Sequence, residues 1–272
     1  MLRSRKKNAL QPWWLPVVAE TYDGGLNDIN GFHVTAQHVL AALDSAAGGL
    51  PKEGAVGGGT GMVCHGFKGG IGTASRKLPA EQGGYTVGVL VQCNYGSRRD
   101  LRIAGVPVGE EIADLTGCIA SSAPLPANSG RRRCDDSRPP AADDAPEQGS
   151  IIVVVATDAP LLPHQLKRIA TRVSLGIGRQ GGFGGNGSGD IFVAFSTANA
   201  RAWFNDQPVT DVKMLPNDRI TPLFQATAQA TEAAITTALL AAETTTGAND
   251  LRIYAMPVDR MLAAMKKYGR LP

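Results

Sequence analysis

Short apolar runs and amphipathic stretches alternate along the chain, separated by glycine-rich turns. Residues 85–93 contain four closely spaced large aliphatic side chains with little polar alternation, which predicts a strand buried on both faces. Residues 151–156 form a second, strongly β-prone run, and residues 191–195 form a third. Shorter strands are predicted at 101–103 and 251–255.

Apolar residues at helical spacing predict four helices. The first follows Thr35, a suitable N-cap, and stops at Gly48-Gly49. A long alanine-rich helix covers 223–243 with Gly247 as its terminator, and a closing helix covers 257–268. The second strand is followed by an amphipathic helix whose apolar positions are Leu162, Leu166, Ile169, Ala170 and Val173. This alternation predicts an α/β fold with sheets covered by helices.

Residues 121–148 are rich in Pro, Ala, Ser, Asp and Arg, with almost no large apolar side chain. Such a segment buries too little surface to offset its ordering entropy, so we predict a mobile loop. The whole chain has 272 residues, 43% hydrophobic and 19% charged. That length suffices for one large single-core domain or two small ones.

The formal net charge of +3 comes partly from basic clusters at 3–7 and 131–133. Neither cluster is interleaved with aromatic residues, so nucleic-acid binding is not predicted. No apolar run reaches roughly eighteen residues, so no membrane span is predicted. The N-terminal segment lacks the apolar core of a secretory signal.

The four cysteines show no C-x-x-C spacing, so neither a zinc site nor a redox motif is predicted: Cys64, Cys93, Cys118 and Cys134. We expect reduced thiols and a cytoplasmic protein. No histidine has metal-binding or triad spacing, so packing or surface roles are expected for His33, His38, His65 and His164. The glycine-rich runs lack the phosphate-loop pattern, which argues against a nucleotide cofactor.

Gly149-Ser150 directly precedes the second apolar run and follows the predicted loop. An ordinary loop ending would explain this dipeptide. The alternative is a self-cleaving hydrolase: scission between the two residues gives Ser150 a free α-amine with a pKa of roughly 7.7–8.0. Such an amine can act as base toward its own hydroxyl.

Four segments in order resemble the DmpA family of self-processing aminopeptidases, peptidase family S58, which includes L-aminopeptidase/D-esterases and β-peptidyl aminopeptidases. They are residues 16–34 with AETYDG, 57–76 with HGFKGGIG, 87–109 with QCNYGS, and 149–199 with GNGSGD. The resemblance implies a four-layer αββα sandwich, in which two β-sheets face each other and helices cover the outside. The fold class expected is therefore α/β, similar to the N-terminal-nucleophile hydrolases.

The resemblance also implies roles for individual residues. Ser150 matches the nucleophile, and Ser188 and Asp190 match the pair that tunes its proton transfer. Asn94 matches the side chain that stabilises the oxyanion, although a turn residue would explain it equally on spacing alone. Tyr22 matches an aromatic residue of the substrate pocket, with a tyrosine packed in the core as the alternative.

Self-cleavage between Gly149 and Ser150 would leave one domain made of two associated chains, 1–149 and 150–272. The implied activity releases the N-terminal residue from short peptides, amides or esters, with no metal and no other cofactor. The implied assembly is a homo-oligomer, a tetramer of processed pairs. Residue preference, whether α or β and L or D, is not readable from the chain.

Two features depart from the family pattern. Members carry a further segment ahead of the part that matches Leu15, and residues 121–148 resemble an insertion. Two hypotheses follow: an active self-processing serine aminopeptidase, or a truncated relative that retains the scaffold as a binding or vestigial protein without hydrolysis.

Overall fold

The computed structural model describes residues 2–3, 13–14, 16–125, 130–136, 148–200, 202 and 208–271. Its strands and helices follow in chain order: β1 (Leu2–Arg3), β2 (Trp13–Trp14), α1 (Ala36–Asp44), β3 (Val63–Cys64), β4 (Phe67–Lys68), β5 (Gly70–Lys77), β6 (Thr86–Asn94), α2 (Val108–Glu111), β7 (Cys118–Ile119), β8 (Gln148–Thr157), α3 (Pro163–Arg179), β9 (Gly187–Ser188), β10 (Ile191–Ser196), α4 (Thr221–Ala241), β11 (Thr245–Thr246), β12 (Leu251–Ile253) and α5 (Val258–Lys267).

The main sheet has the strand order β10-β8-β6-β5, and β9 pairs with the start of β8. β6 runs antiparallel to both β5 and β8, whereas β10 and β9 run parallel to β8. The predicted strands at 85–93, 151–156 and 191–195 are confirmed, and each differs at its ends. β8 starts at Gln148 and therefore includes Gly149 and Ser150.

One face of this sheet is buried and the other is half-buried. Val89 and Val91 on β6 pair with Val155 and Val153 on β8, and all four side chains are buried. Burying each one stabilises the fold by roughly 1.5–3 kcal/mol relative to leaving it exposed. Leu90, which points to the opposite face, is only half-buried. Burial of β6 on both faces was therefore a wrong prediction, because burial alternates along the strand.

The helix α4 packs closely on the buried face. A Cβ atom at Gly72 on β5 would overlap the carbonyl oxygen of Ala234, so glycine permits this close approach. Small buried residues recur every fourth position along the helix: Ala226, Ala230, Ala234 and Ala238. The predicted helix is confirmed, but it ends at Ala241, so Gly247 is not its terminator. Gly247 instead donates its N–H to the carbonyl of Leu251.

The amphipathic helix α3 is confirmed, and it buries Ile169, Val173 and Ile177. The predicted helix after Thr35 is confirmed as α1, and Thr35 N–H is held by His38 Nδ1 at 3.1 Å. α1 ends at Asp44 and has no buried residue. The closing helix is confirmed as α5, and the strand at 251–255 is confirmed in shortened form as β12.

The predicted strand at 101–103 is wrong. Leu101 follows a 3₁₀ turn at Arg98–Asp100, and Ile103 pairs only with Val106 in an isolated bridge. Both apolar side chains are nevertheless buried. The apolar pattern at this point therefore reports burial in a turn, and periodicity alone does not separate that from a short strand.

All four cysteines are paired, so the expectation of reduced thiols is wrong. Disulfides join Cys64 to Cys93 and Cys118 to Cys134, across sequence separations of 29 and 16 residues. The Cys64–Cys93 disulfide depends on tertiary structure, because it forms where the end of β6 lies beside β3. The spacing of the cysteines along the sequence does not reveal this pairing. The cytoplasmic location, which was expected because no secretory signal or membrane span was read from the sequence, stays a prediction. Disulfides are typical of proteins from oxidising compartments.

The predicted mobile loop at 121–148 lies partly outside the described residues, and so do residues 4–7 of the N-terminal basic cluster. Within 130–136, Cys134 N–H bonds the carbonyl of Ile119. Among the helices that the structure describes, none combines the length and the apolar character needed to cross a bilayer. The same described ranges contain no group of three or more His, Cys, Asp or Glu side chains placed to hold a metal ion.

Candidate active site

The register of the main sheet places Ser150 directly opposite Asn94. The two residues are partners in the antiparallel pairing of β8 with β6, so their side chains lie on the same face. That face is the one opposite α4. Ser150 is half-buried and Asn94 is 7% exposed. The predicted nucleophile and the predicted oxyanion donor are therefore neighbours, although 56 positions separate them in the sequence (150 − 94).

The residue before Ser150 has to be glycine. Gly149 has a φ of 117°, in the region that L-residues rarely adopt. A Cβ atom there would also overlap the carbonyl oxygen of Asn94 and lie 3.2 Å from the Cα of Tyr95. The Gly149–Ser150 bond thus lies within β8 in an unusual backbone conformation, and an ordinary loop ending no longer explains the dipeptide.

A backbone donor faces the carbonyl that self-cleavage would attack. The N–H of Gly189 donates a hydrogen bond of 3.2 Å to the carbonyl oxygen of Gly149. A Cβ atom at Gly189 would lie 3.0 Å from Ser150 Oγ, so this glycine also borders the predicted nucleophile. Sequence reasoning missed this role. The only signal was the glycine between Ser188 and Asp190, because a backbone N–H has no side-chain signature.

Ser188 and Asp190 form a hydrogen-bonded pair near Ser150. Ser188 Oγ donates to Asp190 Oδ1 at 2.6 Å, a short hydrogen bond typical of a charged acceptor. The same carboxylate oxygen accepts the N–H of Ile151 at 3.2 Å. Ser188 itself is the partner of Gly149 in the pairing of β9 with β8. The pair is thus attached to both neighbours of Ser150.

The side-chain amide of Asn94 has a defined orientation. Its Oδ1 accepts the N–H of Val63 at 2.8 Å, and its Nδ2 donates to the carbonyl of Tyr22 at 2.8 Å. Because a backbone N–H only donates and a carbonyl only accepts, these partners fix which end is the amide nitrogen. One of the two Nδ2 hydrogens is used by Tyr22. The second is the one that a developing oxyanion could accept.

Tyr22 is 64% exposed, so the alternative of a tyrosine packed in the core is wrong. Its ring lies over Gly24, where a Cβ atom would touch it. Its backbone carbonyl, through Asn94, connects the segment around residue 22 to the end of β6. The cavity described next is lined by its neighbours Thr21 and Asp23 but not by Tyr22, so a role for Tyr22 in the substrate pocket stays a prediction.

A cavity of about 410 Å³ opens on the same side of the sheet. Gln92 lines this cavity, and its side chain points to the same face of β6 as Asn94, two residues along the strand. A volume of this size suits a small organic ligand. Three acidic residues also line the cavity: Glu20, Asp23 and Asp28. The cavity therefore has the charge to receive a cation.

Three of the four histidines lie apart from this site, whereas His33 lines the cavity and its Nε2 lies 3.5 Å from Asp28 Oδ2. His33, His38 and His164 are exposed. His65 is fully buried, and its Nδ1 donates to the carbonyl of Ser97 at 3.0 Å. Burial lowers the pKa of His65 to about 4, so its ring is neutral at physiological pH.

Comparison with known proteins gives a consistent result. The profile of Peptidase family S58 matches residues 1–253. The β-peptidyl aminopeptidase BapA of Sphingosinicella microcystinivorans is 54% identical over 259 residues. That alignment covers 95% of this chain and 63% of the relative, so the chain spans less than two thirds of the relative's length.

Two solved structures are similar over nearly the whole chain. One is the L-aminopeptidase D-Ala-esterase/amidase of Ochrobactrum anthropi, described as a variant of the Ntn (N-terminal-nucleophile) hydrolase fold. It has a TM-score of 0.80 and 46% identity, and covers 96% of this chain and 65% of that one. The other is a β-aminopeptidase of a Burkholderia species, with a TM-score of 0.78, 47% identity, and coverage of 96% and 66%. The α/β fold of the N-terminal-nucleophile type is thereby confirmed.

Proposed function

Because the chain belongs to peptidase family S58, we propose that it is a self-processing serine aminopeptidase with Ser150 as nucleophile. The observation that carries the proposal is the juxtaposition at one point of the sheet. Ser150 lies opposite Asn94, and Gly189 donates to the carbonyl of Gly149. A nucleophile, an oxyanion donor and a polarised carbonyl are the parts that acyl transfer requires.

Self-cleavage begins when Ser150 Oγ attacks the Gly149 carbonyl carbon. The N–H of Gly189 bonds the oxygen on which negative charge develops. We assign acceptance of the hydroxyl proton to the hydrogen-bonded pair of Ser188 and Asp190, which is attached to both neighbours of Ser150. The C–N bond then breaks, the proton passes to the released amine, and Gly149 remains as an ester on Ser150. Water hydrolyses the ester, which gives a carboxylate at Gly149 and a free amine at Ser150.

Substrate hydrolysis repeats these steps on a second carbonyl. The free α-amine of Ser150 takes the proton from Oγ, and Oγ attacks the substrate carbonyl. Asn94 Nδ2 donates its remaining hydrogen to the oxyanion. The ammonium then protonates the leaving amine, and water releases the acyl group. No step in this sequence requires a metal ion or another cofactor.

The cavity beside Gln92 supports a substrate with a free amino terminus. Its carboxylates of Glu20, Asp23 and Asp28 favour a bound ammonium group electrostatically. Two of the similar proteins are named as β-peptidyl aminopeptidase and as L-aminopeptidase D-Ala-esterase/amidase. Short peptides, amides and esters with a free amine are therefore the proposed substrates.

Exposed apolar side chains support the proposal of a homo-oligomer, with a tetramer of processed pairs as the expected form. Phe32 is 84% exposed, and α1 keeps Val39 and Leu43 exposed as well. Exposed apolar residues in such density mark association surfaces more often than free surface. Light scattering during size-exclusion chromatography measures the mass of the particle, and a monomer at micromolar concentration would contradict this part of the proposal.

Hydrolysis of aminoacyl-p-nitroanilides tests the activity. We expect the purified chain to release p-nitroaniline from substrates with a free amine, and not from the same substrates after N-acetylation. The Ser150→Ala variant should hydrolyse neither the substrates with a free amine nor the N-acetylated ones. A folded, active Ser150→Ala variant, or a folded unmodified chain without any amidase activity, would contradict the proposal and favour a non-catalytic relative.

A further inference from the structure

Lys68 is a fully buried cation on the short strand β4. Its Nζ donates to the carbonyls of Gly59, Met62 and Gly69 at 3.0, 2.8 and 2.8 Å. These bonds use all three donors of an ammonium group, and every acceptor is a neutral carbonyl. Burial lowers the pKa of Lys68 to about 8. Placing an ammonium in such surroundings is costly, so the fold retains it against a penalty.

One peptide unit connects Lys68 to Asn94. The carbonyl of Met62 accepts a hydrogen bond from Lys68, and the N–H of Val63 donates to Asn94 Oδ1. The carbonyl of Met62 and the N–H of Val63 belong to the same planar peptide group. Hydrogen bonds in such a chain polarise one another. The charge of Lys68 therefore strengthens the bond that holds the oxygen end of the Asn94 amide.

We propose that Lys68 is a positioning residue for Asn94, acting through the Met62–Val63 peptide group. By drawing electron density along this chain, the ammonium makes the Nδ2 hydrogens of Asn94 better donors. It also fixes the direction in which Nδ2 points. This inference rests on the proposed hydrolase function, because it concerns how the oxyanion donor of that reaction is held.

A purely structural role is the rival explanation. Lys68 also bonds Gly59 and Gly69, so it holds the backbone of residues 59–69 together whatever Asn94 does. The two explanations differ in one measurable respect. If Lys68 acts through Asn94, its removal matters only while Asn94 is present; if it merely supports the fold, its removal costs the same with or without Asn94.

A double-mutant cycle on kcat separates the two explanations. The variants are Lys68→Met, Asn94→Ala and the combination, each assayed on an aminoacyl-p-nitroanilide after thermal melting has confirmed a folded fraction. We expect Lys68→Met alone to lower kcat roughly ten- to hundredfold with little change in KM, as displacement of a catalytic group does. In the Asn94→Ala background the same change should lower kcat less than about twofold. Equal losses in both backgrounds would overturn the positioning role.

Gln165→Met is the matched control. Gln165 is also fully buried and donates to the carbonyl of Leu215, but it lies on α3, away from the Met62–Val63 peptide. We expect it to lower the melting temperature and to leave kcat of the folded enzyme unchanged. The value of kcat is calculated from the concentration of cut chain in each preparation, because self-cleavage in our account uses the N–H of Gly189 and not Asn94.

Lys68→Gln provides a second variant, because it keeps N–H donors and removes the charge. It is run through the same cycle if Lys68→Met does not fold. Failure of both variants to fold would assign Lys68 to the stability of 59–69 and overturn the positioning role. An unmodified chain that is folded, uncut and inactive would instead refute the proposed function itself, so the two failures are distinguishable.

Discussion

The N–H of Gly189 donates a hydrogen bond to the carbonyl oxygen of Gly149, the carbonyl that self-cleavage would attack. The donor belongs to the turn between β9 and β10, and the acceptor to β8. Self-cleavage and substrate hydrolysis therefore use different donors in our account: a backbone N–H for the first, and the side chain of Asn94 for the second.

Gly189→Ala should slow self-cleavage. The added methyl group would lie 3.0 Å from Ser150 Oγ, so either the hydroxyl or the turn has to move. A displacement of about 1 Å at a reacting group costs on the order of a hundredfold in rate. The time course of uncut chain, followed by gel electrophoresis after synthesis in a cell-free system, measures the effect. Gly178→Ala on α3, where no atom lies within 4 Å of the new methyl group, should cleave at the unmodified rate.

Asp190→Asn should lower both self-cleavage and turnover. The carboxylate accepts the hydroxyl of Ser188 and the N–H of Ile151, and an amide oxygen accepts both less strongly. Losing a proton-transfer partner typically costs about a hundredfold or more. Asp158→Asn is the matched control, because Asp158 also accepts a backbone N–H, that of Thr86, at the other end of β8. Similar losses of kcat in both variants would contradict a specific role for Asp190.

The Cys64–Cys93 disulfide should matter for activity as well as for stability. Cys64 follows Val63, which holds Asn94, and Cys93 precedes Asn94 in β6. Replacing either disulfide by serines should cost roughly 3–4 kcal/mol of folding free energy, given the lengths of the closed loops. Removing Cys118–Cys134 should leave kcat of the folded enzyme unchanged, whereas removing Cys64–Cys93 should lower it. Equal kcat values for the two double variants would argue against this distinction.

Stability should fall in mild acid because of His65. Its pKa is lowered from 6.5 to about 4 in the folded state, so the unfolded chain binds a proton more readily as the pH drops. The free energy of unfolding should decrease from about pH 6.5 down to about pH 4, by on the order of 3 kcal/mol in total. Urea unfolding across this range measures it.

His65→Asn should flatten that pH dependence, since asparagine tolerates the positive φ of 47° at this position and does not titrate. His164→Asn, at an exposed position, should retain it. A slope that survives in the first variant would assign the acid sensitivity to other groups.

Much of the fold could be predicted because local patterns encode it. The β-branched run at 151–155 and the helical spacing of Ile169 and Val173 are properties of neighbouring residues. Two other features could not be predicted, because they depend on what the chain packs against: the end of α4 at Ala241 and the turn after Leu101. The alternation of burial along β6 likewise depends on which face α4 covers.

Some features of the candidate site could likewise be predicted from the sequence, and others could not. Motif resemblance supplied Ser150 and Asn94, but only the register of β6 with β8 makes them neighbours. The contribution of Gly189 is a backbone N–H, which sequence does not display. Lys68 stands in a glycine-rich run where a lysine is ordinarily expected at the surface, and only the tertiary structure buries it.

The intact mass of the purified protein tests the central claim most directly. We predict two associated chains, residues 1–149 and 150–272, for the unmodified sequence, and one uncut chain for Ser150→Ala. A folded unmodified protein that persists as a single chain of 272 residues would contradict the account. So would a Ser150→Ala protein that is still cut between Gly149 and the new alanine.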